Sequence, residues 1–319
     1  MTPIAAQVTA PDRCTDNTPL LGFALEGTGH CLDSHVDVRR FGAAQPFGLD
    51  AACDTVLDAE CELYKSYGLV SLTTFALLPM KGTPVAERGG EFGTVQARVS
   101  EYRRSLSAFG FYAERLGQRE DRRHGRVRWS VSGEQAIWWS ERKVLELSGP
   151  EPALASLCQV WAKQAPTDNL GPYELEVLEL PGSRCEVAEE NLFELPGAGG
   201  GVLCTQGDGA SDYRTLLVLR RDEASAKDAL AWLSRELGGA PIRRKTAVRA
   251  VHAVGDGPSE VWFFARQGRA VVGVGANARS ARATSSRARQ EQDEWRERGM
   301  RLLEDLERRV RRTPPPLGE

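Results

Sequence analysis

One order of secondary-structure elements is predicted twice along this chain, and this recurrence limits the folds that the chain can adopt. The first copy runs from Asp50 to Ala165 and the second, with a weaker pattern, from Asn191 to Arg312. In each copy, hydrophobic periodicity predicts two strands, a helix, a cluster of short strands and a closing helix. Strands joined by turns pair antiparallel. The pattern therefore predicts an α+β protein of two similar units, each a mostly antiparallel sheet with helices packed on one face.

The first copy has the clearer boundaries. Apolar residues at helical spacing predict helices over 51–67, 105–116 and 152–165. Between these helices, β-branched runs and apolar–polar alternation predict five strands. These strands lie at 69–78, 94–102, 127–131, 135–139 and 143–147.

The second copy repeats this order. It has a predicted helix over 223–237 and a long charged helix over 280–311, followed by a polyproline tail at 314–316. Its predicted strands lie at 202–205, 213–220, 246–254, 260–265 and 269–274. The chain is thus predicted to have four parts, which are an irregular N-terminal segment (1–48), a first α+β unit (49–165), a second α+β unit (173–278) and a charged C-terminal helix with its tail (279–319).

Composition and charge exclude some classes of protein. The chain of 319 residues has a formal net charge of −3, so it has no overall field that would attract nucleic acid. No apolar run approaches the roughly 20 residues that cross a bilayer. The first 14 residues lack the basic start and apolar stretch of an export signal. These features predict a soluble globular protein.

The cysteines leave the compartment open. They form no C-x-x-C pair and have no histidine at zinc-finger spacing, so no structural metal site is predicted. Cys185 and Cys204 enclose a glycine-rich segment and are candidates for a disulfide in a periplasmic or exported protein. The alternative is a cytoplasmic protein with reduced cysteines, several of them small core residues. The seven are Cys14, Cys31, Cys53, Cys61, Cys158, Cys185 and Cys204.

Three segments of the first unit resemble the DUF6599 family of uncharacterised bacterial proteins. Glu62–Gly68 (ELYKSYG) is similar to the end of a family helix, the strand at 95–102 follows it, and Ser107–Tyr112 (SAFGFY) is similar to the start of the next helix. Trp138–Arg142 (WWSER) also resembles the aromatic hairpin of that family.

The resemblance covers roughly residues 50–275 and implies a two-unit α+β fold that is often exported. Glu190–Phe193 is similar to the segment that opens a family unit, whereas Gly197–Gly201 stands where the tyrosine-bearing helix end would be in the second unit. The resemblance implies no catalytic residue, and a fold alone does not define a function.

Two tyrosines are the candidate ligand-binding residues. Tyr64 and Tyr67 lie three positions apart, hence on one face of the predicted helix, and their hydroxyl groups could line a ligand groove. The alternative is that both rings pack half-buried against the core.

Two glycine-rich segments have the appearance of nucleotide-binding motifs. Gly273–Ala278 follows a strand and matches G-x-G-x-x-A, but no second parallel strand with an acidic end follows it. Gly197–Gly201 has no Lys-Ser/Thr pair after it. Both segments are predicted to be turns.

No nucleophile signature accompanies the four histidines, which are His30, His35, His124 and His252. A thiol enzyme would need Cys61 or Cys158 to meet a histidine in space. The C-terminal helix carries a narrow apolar stripe and eleven arginines against seven acidic residues between Arg279 and Arg312. The stripe consists of Trp295, Gly299, Leu302, Leu306 and Val310.

The sequence favours a non-catalytic binding or interaction protein, with no cofactor and no metal expected. One alternative is a hydrolase or thiol enzyme whose site assembles only in space. Another is a structural assembly subunit that contacts a protein partner, or a second copy, through the C-terminal helix. A nucleic-acid partner and a transmembrane segment are not expected.

Overall fold

The protein forms two compact units, Met1–Asn169 (unit 1) and Leu170–Glu319 (unit 2). The computed structural model describes residues 14–15, 25–42, 45, 48–80, 94–125, 127–165, 172–180, 182–190, 192–194, 199–206, 213–242, 244–252, 260–277 and 286–313. Among the helices of these residues, none combines the length and the apolar character that a bilayer crossing requires. Residues 81–93 and 166–171 and the predicted polyproline tail lie outside the described residues.

Unit 1 is built on a nine-stranded antiparallel sheet with the order β1-β2-β4-β5-β9-β8-β7-β6, in which β3 also pairs with β4. Its strands are β1 (Cys14–Thr15), β2 (His30–Asp33), β3 (Arg39–Gly42), β4 (Leu69–Pro79), β5 (Val95–Tyr102), β6 (Arg122–His124), β7 (Val127–Ser132), β8 (Gln135–Ser140) and β9 (Lys143–Ser148). Its α-helices are α1 (Leu49–Ala52), α2 (Cys61–Ser66), α3 (Ser105–Leu116) and α4 (Glu151–Gln164).

Unit 2 is built on a seven-stranded antiparallel sheet with the order β10-β11-β12-β16-β15-β14-β13. Its strands are β10 (Arg184–Ala188), β11 (Gly201–Gln206), β12 (Tyr213–Leu219), β13 (Ala240–Ile242), β14 (Arg244–His252), β15 (Glu260–Gln267) and β16 (Ala270–Asn277). Its α-helices are α5 (Tyr173–Leu178), α6 (Glu223–Glu236) and α7 (Ser286–Arg312).

The two sheets share one strand order. The run β4-β5-β9-β8-β7-β6 in unit 1 has the same connectivity as β11-β12-β16-β15-β14-β13 in unit 2. In both units a helix, α3 or α6, leads from the second of these strands into the hairpins. The predicted α+β class, with two similar antiparallel units, is confirmed.

The placement of the helices differs from the predicted single face. Trp138 and Trp139 are neighbours on β8, so they point to opposite faces of the sheet. Trp138 packs edge-on against Trp161 of α4, with ring centres 5.9 Å apart. Trp139 packs in the same way against Phe109 of α3, at 5.3 Å. Because both faces of β8 are apolar, both need a helix to exclude water.

In unit 2, helices also pack on both faces of the sheet. Trp262 and Phe264 of β15 belong to a core cluster with residues of α6, such as Leu230. Phe263 points the other way and lies under Gly299 of α7. The helix α7 therefore packs on its own sheet, and the buried residues of its stripe include Gly299, Leu306 and Val310.

The helix predicted over 51–67 is broken. After α1 the chain forms a π-helical turn (Cys53–Leu57) and a 3₁₀ turn (Asp58–Glu60) before α2 begins. A disulfide joins Cys53 to Cys61 with their Cα atoms 5.1 Å apart. Eight residues of straight α-helix would span about 12 Å, which is too far for a disulfide. The bond therefore requires the break, and Asp58 adopts a φ of 44° there.

The N-terminal segment is more regular than predicted. β2 and β3 lie in succession along one edge of β4, where His30 pairs with Pro79 and Arg39 with Thr74. All four residues of β2 are buried, so the strand lacks the alternation that marks a strand in a sequence. Its four-residue length also gives little signal.

The predicted turn at Gly273 is wrong, because Gly273 and Gly275 lie inside β16. They are directly opposite Phe264 and Trp262 of β15. A Cβ atom at Gly275 would lie 2.3 Å from the Trp262 ring, and one at Gly273 would lie 2.7 Å from the Phe264 ring. The two rings stack with an interplanar angle of 4°. The glycines thus provide the space that the aromatic side chains fill.

Replacing Gly275 by alanine should destabilise the protein. The added methyl group would overlap the Trp262 ring, and overpacking of this kind costs about 1–3 kcal/mol. Urea denaturation of Gly275→Ala should give a lower free energy of unfolding. The control is Gly48→Ala, because Gly48 has a φ of −63° and no atom within 4 Å of its Cβ position. Equal stability of Gly275→Ala and the native protein would contradict the role of Gly275.

Candidate ligand-binding groove

A pocket of about 640 Å³ lies on the face of the unit 1 sheet that α3 partly covers. We call it the arginine groove, because Arg39, Arg98, Arg115 and Arg119 line it. Three carboxylates, Asp37, Glu60 and Glu146, also line it. Four arginines against three carboxylates give the lining a net charge of +1.

The floor of the groove consists of two rows of side chains that run across the strands. The pairing register defines both rows, because residues directly opposite each other share a face of the sheet. The first row is Arg39, Thr74, Arg98, Glu146 and Ile137. The second row is Gln96, Ser148 and Gln135.

A third row, on the other side of the charged row, explains why no helix covers the two polar rows. It is buried and mainly apolar, and it consists of Phe41, Leu72, Ser100, Val144 and Trp139. α3 covers the apolar part of this face and ends at Leu116, where Gly117 takes a φ of 57°. The polar rows need no helix above them, and the side chain of Arg115 reaches over them from the last turn of α3.

Four charged side chains form a closed ring in the groove. Arg98 Nη1 lies 3.2 Å from Glu60 Oε2, and Glu60 Oε1 lies 2.8 Å from Arg115 Nη1. Arg115 Nε lies 3.3 Å from Glu146 Oε1, and Glu146 Oε2 lies 3.8 Å from Arg98 Nη1. Arg98 Nη2 also donates to the carbonyl oxygen of Val56 at 3.5 Å. The ring alternates in sign and is neutral, so it fixes its members without attracting a ligand of either charge.

Tyr64 forms hydrogen bonds with two members of this ring. Its hydroxyl group donates to the Glu146 carboxylate and accepts a hydrogen bond of 2.9 Å from Arg98 Nη1. The side chain is fully buried, and the guanidinium group of Arg115 lies 5.5 Å from the centre of its ring. Burial first, and then the Glu146 carboxylate, raise the pKa of Tyr64 well above its usual range. Tyr64 therefore stays protonated and acts as a donor.

The two tyrosines of the predicted ligand pair both contact Phe111. Tyr67 lies against Phe111 with an edge-to-face geometry and a ring distance of 6.0 Å. Tyr64 also packs on Phe111, with ring centres 4.5 Å apart, and both rings are fully buried. The structure thus buries Tyr64 against the charged ring and places Tyr67 in an aromatic contact.

Two cations of the groove are available to a ligand. Within the described part of the chain, Arg39 and Arg119 form no ion pair, and Arg119 Nη2 donates only to the backbone oxygen of Arg115, at 3.0 Å. Asp37 also lacks an ion-pair partner among these residues. With the ring neutral, these three side chains carry the net charge of +1.

The corresponding place in unit 2 is filled. The β8–β9 hairpin of unit 1 and the β15–β16 hairpin of unit 2 both have two-residue turns, so their residues can be matched by counting from the turn. Glu146 then corresponds to Gly273, and Gln135 corresponds to Trp262. The partner of Gly273 on β12 is Leu216, which stands where Arg98 stands in unit 1. Trp262 and Phe264, together with Phe193, occupy the space above this floor. The groove is therefore a property of unit 1.

The cysteines are mostly oxidised. Cys185 and Cys204, the predicted pair, lie opposite each other on β10 and β11 and form a disulfide. Cys53 and Cys61 form another, and Cys31 is also disulfide-bonded. Among the cysteines with described side chains, Cys158 alone is free.

The two cysteines of the thiol-enzyme hypothesis are poorly placed for catalysis. Cys61 is bonded to Cys53. Cys158 is a residue of α4 whose side chain is fully buried in the core, and burial raises the pKa of its thiol to about 12. A nucleophilic cysteine is a thiolate that the substrate can reach. In the described part of the chain, no three or more His, Cys, Asp or Glu side chains are grouped to hold a metal ion.

Sequence reasoning missed the charged residues of the groove. Arg98 and Glu146 look like the exposed positions of two half-buried strands, since each alternates with apolar neighbours. Only the pairing of β5 with β9 puts them opposite each other. Pairing the predicted 94–102 and 143–147 strands would have given this signal, but Arg115 and Glu60 depend on tertiary packing.

Comparison with known proteins gives no relative. No protein-family model matches the chain, and no significant similarity to a curated protein or to a solved structure was found.

Alkylation should test the burial of Cys158. A thiol with a pKa of about 12 has roughly a thousandfold less thiolate at pH 8 than an ordinary cysteine with a pKa near 8.5. Iodoacetamide should therefore modify Cys158 at least a thousandfold more slowly in the native protein than in urea, as measured by mass spectrometry. The native rate should rise with pH, because the thiolate forms only at high pH. A native rate within tenfold of the unfolded rate would contradict this assignment.

Glu60 should make stability depend on acid pH. The hydrogen bond from Arg115, opposed by partial burial, lowers the pKa of Glu60 below its ordinary value of 4.5. A carboxyl group with a lowered pKa in the folded state stabilises the protein above pH 4.5, and this contribution is lost as the pH falls. The native protein should be more stable than Glu60→Gln at pH 7, and the difference should shrink below pH 4.5.

Urea denaturation at several pH values measures this difference. The control is Glu62→Gln, because Glu62 is exposed on the next turn and forms no ion pair with the described residues. A difference that persists at pH 3 would show that Glu60 acts through its shape rather than through its charge.

Proposed function

We propose that the protein is a non-catalytic binding protein and that the arginine groove of unit 1 takes a small polar monoanion with a carboxylate group. The single observation that supports this function is a groove in which Arg39 and Arg119, which form no ion pair within the described part of the chain, lie beside a neutral ring of charges. A groove of about 640 Å³ matches the usual size of small-molecule sites. Guanidinium groups bind carboxylates through paired, charge-assisted hydrogen bonds.

The rigid floor suits binding better than catalysis. The charged residues of the floor are held by strands and by each other, and Tyr64 is kept protonated. A general acid or base needs a pKa near the working pH. Glu60 has a lowered pKa and Tyr64 a raised one, so both are held away from neutral pH. The alternative of a thiol enzyme whose site assembles in space gains no specific support, because Cys158 is buried. The alternative of an assembly subunit gains none either, because α7 packs on its own sheet.

An exported protein is part of this proposal. Disulfides persist in oxidising compartments, and those at Cys53–Cys61 and Cys185–Cys204 support a periplasmic or exported location over a cytoplasmic one. Membership of the bacterial DUF6599 family, and an origin of the two units by duplication, are further parts of the proposal. The shared strand order supports the duplication.

Calorimetric titration with monocarboxylates tests the function. We expect at least one of acetate, lactate and gluconate to bind with a Kd below about 1 mM at low ionic strength, where exposed charges are least screened. The double variant Arg39→Gln/Arg119→Gln should weaken that binding at least about tenfold, which corresponds to about 1.4 kcal/mol.

A matched control is Arg221→Gln, because Arg221 is a highly exposed arginine of unit 2, at 92%. This variant should bind like the native protein. If no carboxylate binds, or if the double variant binds as tightly as the control, the groove is not an anion site.

A further inference from the structure

We propose that the arginine groove recognises acidic sugars, that is, polyhydroxylated rings that carry one carboxylate, such as a uronic acid. This inference rests on the proposed function and names its ligand class. The observation behind it is the second row of the floor, Gln96, Ser148 and Gln135, which lies beside the charged row and is exposed in the groove.

The side chains of the floor are both donors and acceptors. Glutamine amides donate through nitrogen and accept through oxygen, and the hydroxyl groups of Ser148 and Thr74 do both. Sugar hydroxyl groups have the same dual character, so each can pair with such a side chain. A ligand that has only hydrogen-bond acceptors could pair with the amide hydrogens of the glutamines. It would supply no hydrogen-bond donor for their amide oxygens or for the Asp37 carboxylate.

The backbone of four of the five strands of the floor is not available to a ligand. β4, β5, β8 and β9 are each hydrogen-bonded to a neighbouring strand on both sides. A ligand over these four strands therefore meets side chains on the face of the sheet and not peptide groups at an edge. This favours a ring with hydroxyl groups over an extended peptide, which binds best by adding a strand at an edge.

The charges of the groove favour a carboxylate over a phosphate. Phosphate sites in proteins commonly use backbone N–H groups at helix N-termini or in glycine-rich loops. The groove instead offers Arg39 and Arg119 beside Asp37, Glu60 and Glu146. A dianion would exceed the net charge of +1, whereas a monoanion matches it, and the hydroxyl groups of an acidic sugar can donate to Asp37.

The groove is longer than a single sugar ring. Its floor reaches from β3 to β8 across four strand spacings, or about 19 Å. An oligosaccharide with one acidic ring could therefore occupy it.

Calorimetric titration of the full chain with four probes tests the inference. The probes are D-galacturonate, D-galactose, acetate and inorganic phosphate. We expect galacturonate to bind at least about tenfold more tightly than each of the other three. The double variant Gln135→Ala/Ser148→Ala should weaken galacturonate binding at least about tenfold and leave acetate binding unchanged. Both residues are exposed, so urea denaturation should show a stable fold.

The outcomes separate this inference from the function on which it rests. If acetate or phosphate binds as tightly as galacturonate and Arg39→Gln/Arg119→Gln weakens that binding, the acidic-sugar inference is overturned and the anion site stands. If galactose binds as tightly as galacturonate, the carboxylate is not recognised and both are overturned. If no probe binds and the monocarboxylates also fail, both are again overturned.

Discussion

Each sheet of this protein carries apolar side chains on both faces, and this constraint determines where the helices lie. Trp138 and Trp139 are adjacent on β8, and one packs on α4 while the other packs on α3. Phe263 and Phe264 are adjacent on β15 in the same way, and Phe263 packs on α7 while Phe264 packs on α6. A single layer of helices would leave one row of large rings in water at about 25 cal/mol per Å². The helix on each side is therefore a consequence of the strand sequences.

The arginine groove exists where this constraint is relaxed. In unit 1 the face under the end of α3 changes from apolar to polar between Val144 and Glu146, so water can replace the helix there. In unit 2 the corresponding residue is Gly273, and Phe264 fills the space that its missing side chain leaves. The same strand order thus gives an open polar floor in one unit and a closed aromatic core in the other. Side-chain size and charge at a few positions determine whether the floor is open and polar or covered by an aromatic core.

Periodicity was enough to predict the long elements. The boundaries of α3 at Ser105–Leu116 agree with the sequence pattern, because amphipathic stripes and a C-terminal glycine mark a helix locally. β2 and the break at Asp58 escaped prediction, since one is buried on all sides and the other depends on a disulfide. The site was harder still. Arg98 and Glu146 are 48 positions apart, and only the strand pairing brings them together.

The Cys53–Cys61 disulfide links the local backbone to the electrostatics of the groove. Glu60 immediately precedes Cys61, and it faces Arg98 and Arg115 from the turn that the disulfide requires. In an unbroken helix Glu60 would lie about 10.5 Å along the helix axis from Cys53 and point elsewhere. Without Glu60 the lining would carry +2 instead of +1, and both arginines would compete for Glu146. The net charge of +1 in the groove therefore depends on one covalent bond between two residues that the sequence places on a helix.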